Sequence, residues 1–200
     1  MWISTVEYDA AGPRLKTLYD RVRAPDGQID NIMKVHGLRP HSLEGHMTLY
    51  KYVLHHSGNQ VPKWQLEMLG VYVSHLNGCT YCVEHHFAGM KRLLKDDPRA
   101  DAIRAALEAG RPEDGLDGVL LAMVRYAEAL TGDPADIDQT YIEAMREAGL
   151  DDGMILEVNQ VVAYFAYANR TVLGLGVSHV GETLGLSPND SENPDDWSHT

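Results

Sequence analysis

The stretch from Pro62 to Leu76 constrains the fold more than any other part of the chain. Trp64, Leu66, Met68, Leu69, Val71, Tyr72, Val73 and Leu76 leave it scarcely a polar side. At 3.6 residues per turn this is a helix apolar nearly all round, which belongs at the centre of a domain. A central helix needs others packed around it, and the remaining periodic segments supply them. Pro13 to Ala24 carries Leu15, Leu18, Tyr19 and Val22 at helical spacing, with Pro13 suited to a first turn. Pro40 to His56 carries Leu43, Met47, Tyr50 and Leu54. A short helix is expected over Ile29 to His36 and a longer one over Cys79 to Leu94. Others are expected at Arg99–Ala109, Pro112–Leu130, Ile137–Ala148 and Asp152–Leu173. Gly27, Gly110, Gly132, Asp133 and Gly149 punctuate them. No strand-like alternation runs for any length, and Val71-Tyr72-Val73 falls inside a helical repeat. No internal repeat or linker divides the body. The expected fold is all-α, a single-domain helical bundle over residues 1–186.

Residues 187–200 differ in character. Asp190, Glu192, Asp195 and Asp196, two prolines and almost nothing apolar predict an acidic, disordered tail. Elsewhere the composition is that of a globular protein, with 44% hydrophobic residues. The net charge of −12, from 17 Lys plus Arg against 29 Asp plus Glu, repels phosphate backbones and anionic lipids. Nucleic acid and membrane are therefore not expected partners. No apolar run reaches the roughly 18 residues that span a bilayer. The N-terminal residues lack the basic start and apolar stretch of a secretion signal, so the expected location is the cytoplasm.

The chemistry lies just after the central helix. The chain has two cysteines, Cys79 and Cys82, in a CxxC pair that closes too small a loop to staple the fold. On a helix that starts at Cys79, Cys82 falls near 300° and His86 near 340° relative to it, so all three share one stripe. Cys79 sits in the first turn, where unpaired N–H groups and the helix dipole lower a thiol pKa. A histidine one turn beyond Cys82 can take or return its proton. Glu67 is the second clue, because a carboxylate on a helix with so few polar sides needs a partner. If the chain reverses at Asn77-Gly78, Glu67 and His86 lie about 4.5 Å apart along the two axes, within side-chain reach. A Glu67–His86–cysteine relay follows. Tyr81 and His85 flank this motif as candidate neighbours, although Tyr81 points about 200° around the wheel, away from the stripe. His36, His41, His46, His55 and His56 crowd one region and are read as a coincidence of helix ends.

Glu67 with Cys79-x-x-Cys82-x-x-x-His86 resembles the carboxymuconolactone decarboxylase superfamily, in its alkyl hydroperoxidase D-like and peroxidase-related branch. The surrounding residues from Val73 to His86, and Val161-Val162-Ala163-Tyr164-Phe165-Ala166-Tyr167-Ala168-Asn169-Arg170, are similar to that branch as well. The similarity runs from about Pro13 to Gly181. It implies an all-helical fold, homo-oligomers (trimers or hexamers of two trimers) and reduction of a hydroperoxide. It also implies that Cys82 is attacked by peroxide and that Cys79 resolves the product to a disulfide, which an external dithiol reduces. Glu67 and His86 would relay the proton, with no cofactor. The sequence departs from the family at Tyr81, where well-known peroxidases of this type carry histidine. Tyrosine, with a reference pKa near 10, is the poorer proton shuttle at neutral pH.

Two alternatives stay open. A lactone decarboxylase of the same superfamily needs acid–base groups but no cysteine pair. A non-catalytic metal-binding or redox-sensing protein could use Cys79, Cys82 and His86 as zinc ligands, with Glu67 or His85 as a fourth.

Overall fold

A computed structural model describes residues 1–193 and 195–198. Among them it contains α-helices and short 3-10 turns and no β-strand. In chain order the α-helices are α1 (Pro13–Val22), α2 (Asn31–Val35), α3 (Pro40–Tyr50), α4 (Lys63–Leu76), α5 (Thr80–Leu94), α6 (Asp97–Glu108), α7 (Gly118–Gly132), α8 (Gln139–Glu147) and α9 (Asp152–Leu175).

Helix α4 is the axis. Every residue from Leu66 to Ser74 is buried, and the helix packs against α5, α7 and α9. Each large side chain removed from water there contributes roughly 1.5–3 kcal/mol, which is why the all-round apolar segment takes the centre. The approach of α9 is close. A Cβ on Gly70 would lie 2.2 Å from the Phe165 ring, so no larger residue fits at that crossing. At the end of α4, Gly78 adopts φ +70° and the chain turns back into α5, as Asn77-Gly78 predicts.

Two expected helices are interrupted. Pro112–Leu130 splits into a 3-10 turn at Pro112–Asp114 and α7, which starts at Gly118. The break falls at Gly115-Leu116-Asp117, where Leu116 is buried under the turn and Asp117 is the N-cap. Pro40–His56 ends in a π-helical turn over Lys51–His55. Lys51, Leu54 and His55, spaced i, i+3 and i+4, share one face of this turn and all lie buried.

The acidic segment is the largest difference from expectation. Its described residues lie folded against the body, with Ser187 and Trp197 buried. They surround Lys51, whose Nζ donates to Asn189 Oδ1 (3.3 Å), Ser191 Oγ (3.0 Å), the Asn193 carbonyl (2.7 Å) and the Asp196 carbonyl. Ion pairs Lys63–Asp190 and Arg21–Asp195, both 2.8 Å, fasten it from outside. A composition average over the segment hides its one large apolar anchor, Trp197.

Candidate active site

Glu67 projects from the buried axis and is 2% exposed. Its carboxylate accepts a hydrogen bond from His86 Nδ1 at 2.6 Å, while His55 Nε2 stands 3.6 Å from the other oxygen. Burial alone would push the Glu67 pKa up. The charge and hydrogen bond of His86, together with His55 and Arg92, more than offset that, and its pKa lies below the usual carboxylate value. His55 is itself lowered by burial to about 4, so it is neutral at pH 7. Space for the carboxylate comes from Gly89 on α5, where a Cβ would lie 3.2 Å from it. The offset between Glu67 and His86 along antiparallel α4 and α5 is thus closed by the two side chains.

Cys79 is the N-cap of α5 and Cys82 lies in its first turn, both buried and both free thiols. Their sulfurs are 3.1 Å apart. A disulfide measures about 2.05 Å, so bonding needs a shift of only about 1 Å. A hydrogen bond from Cys82 lowers the Cys79 pKa, with Asn169 assisting against burial. The same shared proton and burial raise Cys82. The pair is therefore polarised, with Cys79 the more acidic sulfur and the two losing protons as one coupled unit. This agrees with the helix-start argument for Cys79. The cavity gives the opposite preference for attack, since Cys82 lines it and Cys79 is fully buried behind.

The cavity is small, about 50 Å³, and is walled by Cys82, Glu67, His86, Tyr81, His85, His46, Tyr50, Tyr164 and Trp197. Burial raises Tyr50 and Tyr164 well above the usual tyrosine pKa, so both keep their hydroxyl protons. Tyr81 and His85 stack at 4.6 Å and form a second cavity-facing strip. The Tyr81 hydroxyl accepts from the Ile32 amide at 3.4 Å, and His85 Nε2 bonds Glu182 at 2.7 Å. The wheel alone gave Tyr81 no place at the site; the fold brings a wall to its side of the helix.

Sequence reasoning missed several participants. His46 lines the cavity and His55 meets Glu67, so the histidine cluster is more than a coincidence of helix ends. Asn169 and Ser74, both fully buried, bond each other at 3.0 Å next to the sulfurs. Buried polar residues on otherwise apolar helices were the available signal for these two. Nothing local marks Trp197. Among the described residues, no group of three His, Cys, Asp or Glu side chains is placed to hold a metal ion. None of the described helices is long and apolar enough to cross a membrane.

No family model and no curated protein matches the chain. Solved structures do. One is the alkylhydroperoxidase AhpD core of an uncharacterized peroxidase-related protein from Ralstonia eutropha JMP134, 21% identical, with a TM-score of 0.76 over 88% of this chain and 90% of that one. An uncharacterized peroxidase-related protein from Silicibacter sp. TM1040 is 22% identical, with a TM-score of 0.74 over 86% and 88%. The debrominase Bmp8 is 17% identical, with a TM-score of 0.66 over 83% and 86%. The chain therefore has the alkylhydroperoxidase D-like fold, in agreement with the resemblance of its motif. Within that fold, proteins of differing activity occur.

Proposed function

We propose that this protein is a thiol peroxidase that reduces hydroperoxides through Cys79 and Cys82, with Glu67 and His86 as its proton relay. The observation that carries the reading is the placement of Cys82 on the cavity wall, with the Cys79 sulfur 3.1 Å behind it. The Glu67–His86 bond of 2.6 Å on the same cavity supplies the acid–base partner.

The Cys82 thiol passes its proton to the relay and its sulfur attacks the terminal oxygen of the hydroperoxide. The O–O bond breaks, the S–O bond forms, and the departing alkoxide or hydroxide takes a proton from His86. Cys79 then attacks the Cys82 sulfenic acid, and its thiol proton leaves with the displaced hydroxyl as water while the disulfide forms. An external dithiol exchanges with that disulfide and restores both thiols. Glu67 holds the imidazole by Nδ1 and stabilises its protonated form. A pair that must be re-reduced in every cycle suits the cytoplasm. Exposed Leu156, Tyr167 and Leu173 on α9 suit a homo-oligomer, which light scattering would test against the 22.2 kDa monomer.

Hydroperoxide consumption with dithiothreitol as reductant tests the reading. Peroxide treatment of the reduced protein should remove two hydrogens from its mass. Independent oxidation of each cysteine to sulfonic acid would overturn the resolving step.

A second reading rests on the likeness to the debrominase, a variant of which was solved with 2,3,4-tribromopyrrole bound. The same dithiol could replace an aromatic bromine by hydrogen, releasing HBr as the pair becomes a disulfide. The aromatic wall of Tyr50, Tyr164 and Trp197 favours it. Bromide release from a bromopyrrole, with no hydroperoxide consumed, would select it.

A further inference from the structure

The cavity beside Cys82 has one wall that comes from none of the helices. Trp197 lies far along the chain from the cysteines, yet it is 3% exposed, lines the cavity and sits 5.9 Å from the Tyr50 ring. Its position depends on Lys51, which is fully buried and spends its ammonium on the residues just before Trp197. Lys51 opens the π-helical turn at the end of α3, four residues on from buried Met47 and so on the same inward face.

Two features of the cavity point to its ligand. The first is size. A cavity of about 50 Å³ admits roughly three to five water-sized groups, at about 10–15 Å³ each. The second is polarity. Trp197 Nε1 and His46 Nδ1 are both buried without a hydrogen-bond partner among the described residues, and both rings line this one cavity. A buried N–H left unpaired costs on the order of 1–3 kcal/mol, so such a group signals a partner that arrives from outside. A tryptophan nitrogen can only donate, so that partner presents an acceptor such as a peroxide oxygen.

We propose that Trp197 is the specificity residue of this site: its ring, anchored through Lys51, closes the cavity to bulky substrates, and its indole N–H donates to the oxygen of a small one. On the peroxidase reading, on which the substrate class rests, this selects hydrogen peroxide and the smallest alkyl hydroperoxides over aryl ones.

The test uses the full chain and two readouts. One is kcat/KM for hydrogen peroxide against cumene hydroperoxide, with dithiothreitol as reductant. The other, independent of turnover, is the rate of Cys82 labelling by iodoacetamide against fluorescein maleimide, followed by peptide mass. The wild type should prefer the small partner in both. Trp197→Ala should narrow both preferences by at least about tenfold, the usual scale for steric discrimination in a pocket. Trp197→Phe keeps an aromatic wall and should retain the size preference. It should also raise KM for hydrogen peroxide about two- to tenfold, the scale of one lost hydrogen bond. Should Trp197→Ala fail to fold by circular dichroism, Lys51→Met releases the anchor and should narrow the same preferences. Preferences unchanged in every folded variant would overturn the steric role, and a KM unmoved in Trp197→Phe would overturn the donor role. If no form consumes any hydroperoxide while the labelling preference still shifts, the peroxidase reading fails and the gating role of Trp197 stands.

Discussion

His85 and His86 are neighbours on α5, and each bonds a carboxylate almost sealed from water. His86 meets Glu67 at 2.6 Å and His85 meets Glu182 at 2.7 Å, with the two carboxylate side chains 2% and 3% exposed. By distance and burial the pairs are nearly the same; their further contacts separate them. Glu67 is flanked by a second imidazole, His55, on the helix-packed side of the cavity. Glu182 instead accepts the Asn31 backbone N–H at 2.5 Å, while the Asn31 side chain donates to the Ser178 carbonyl at 2.7 Å. Glu182 thus clasps the segment after α9 to α2 and α5, with Oε1 spent on backbone and Oε2 on His85. Glu67 meets the ring nitrogens of His86 and His55, groups that can give up or receive a proton. The close approach of a histidine to a carboxylate does not by itself mark a catalytic pair; what else the carboxylate holds decides it.

The contrast is most exposed to Glu67→Gln. The amide keeps the shape and is cheaper to bury than a charge, so the fold should survive. General acid–base help is worth about 10²–10⁴-fold, and hydroperoxide turnover should fall within that range. Iodoacetamide alkylation of the reactive cysteine at neutral pH should slow with it, whereas Glu182→Gln should leave alkylation near the wild-type rate. Unchanged turnover and alkylation in Glu67→Gln, with a lowered melting temperature, would make Glu67 a clasp as well.

Acid should act next most strongly, through the histidines beside the relay. Burial lowers His46 to about 3 and His55 to about 4, against 6.5 for the ordinary group. Below pH 6.5 the unfolded chain therefore binds protons that the folded chain refuses, and stability must fall as pH falls. Each group contributes up to about 1.4 kcal/mol per pH unit until its folded pKa is reached. Glu67 acts in the same direction, because its folded pKa is depressed and its contribution is lost as pH drops through that value. Urea denaturation between pH 7 and pH 4 should show this slope, and His46→Gln should flatten part of it. A stability constant over that range would mean that the two rings accept protons where they stand.

A smaller effect is expected at the clasp. Glu182→Gln weakens bonds to His85 and to the Asn31 amide, at a cost of about 1–3 kcal/mol in the urea midpoint. Turnover lost at unchanged stability would make the two pairs equivalent. Least should follow from Tyr81→Phe. The Tyr81 hydroxyl accepts the long Ile32 bond of 3.4 Å and lies against Glu182, so its loss should cost about 1 kcal/mol and leave the pH dependence of alkylation unmoved. A displaced pH profile would instead give Tyr81 a proton role of its own.

The residues of the site divide according to where their partners lie in the chain. Glu67, Cys79, Cys82 and His86 could be brought together on paper because one turn joins two regular helices. Helical geometry then fixes positions over that short span to within a few ångström. The all-round apolar character of α4 likewise placed it at the centre before any contact was known. Those relations are local, and periodicity carries them. The structure alone decided that His55 meets Glu67, since the stretch between them from His56 to Pro62 has no regular structure whose period could orient one helix on the other. It also decided that Glu182 reaches His85 across 97 positions and that Lys51 finds the Asp196 carbonyl across 145. Trp197 is the clearest case. Local composition around it favours solvent, and only a buried ammonium far back in the chain, together with an aromatic wall left open beside Cys82, makes the cavity its lowest-energy place.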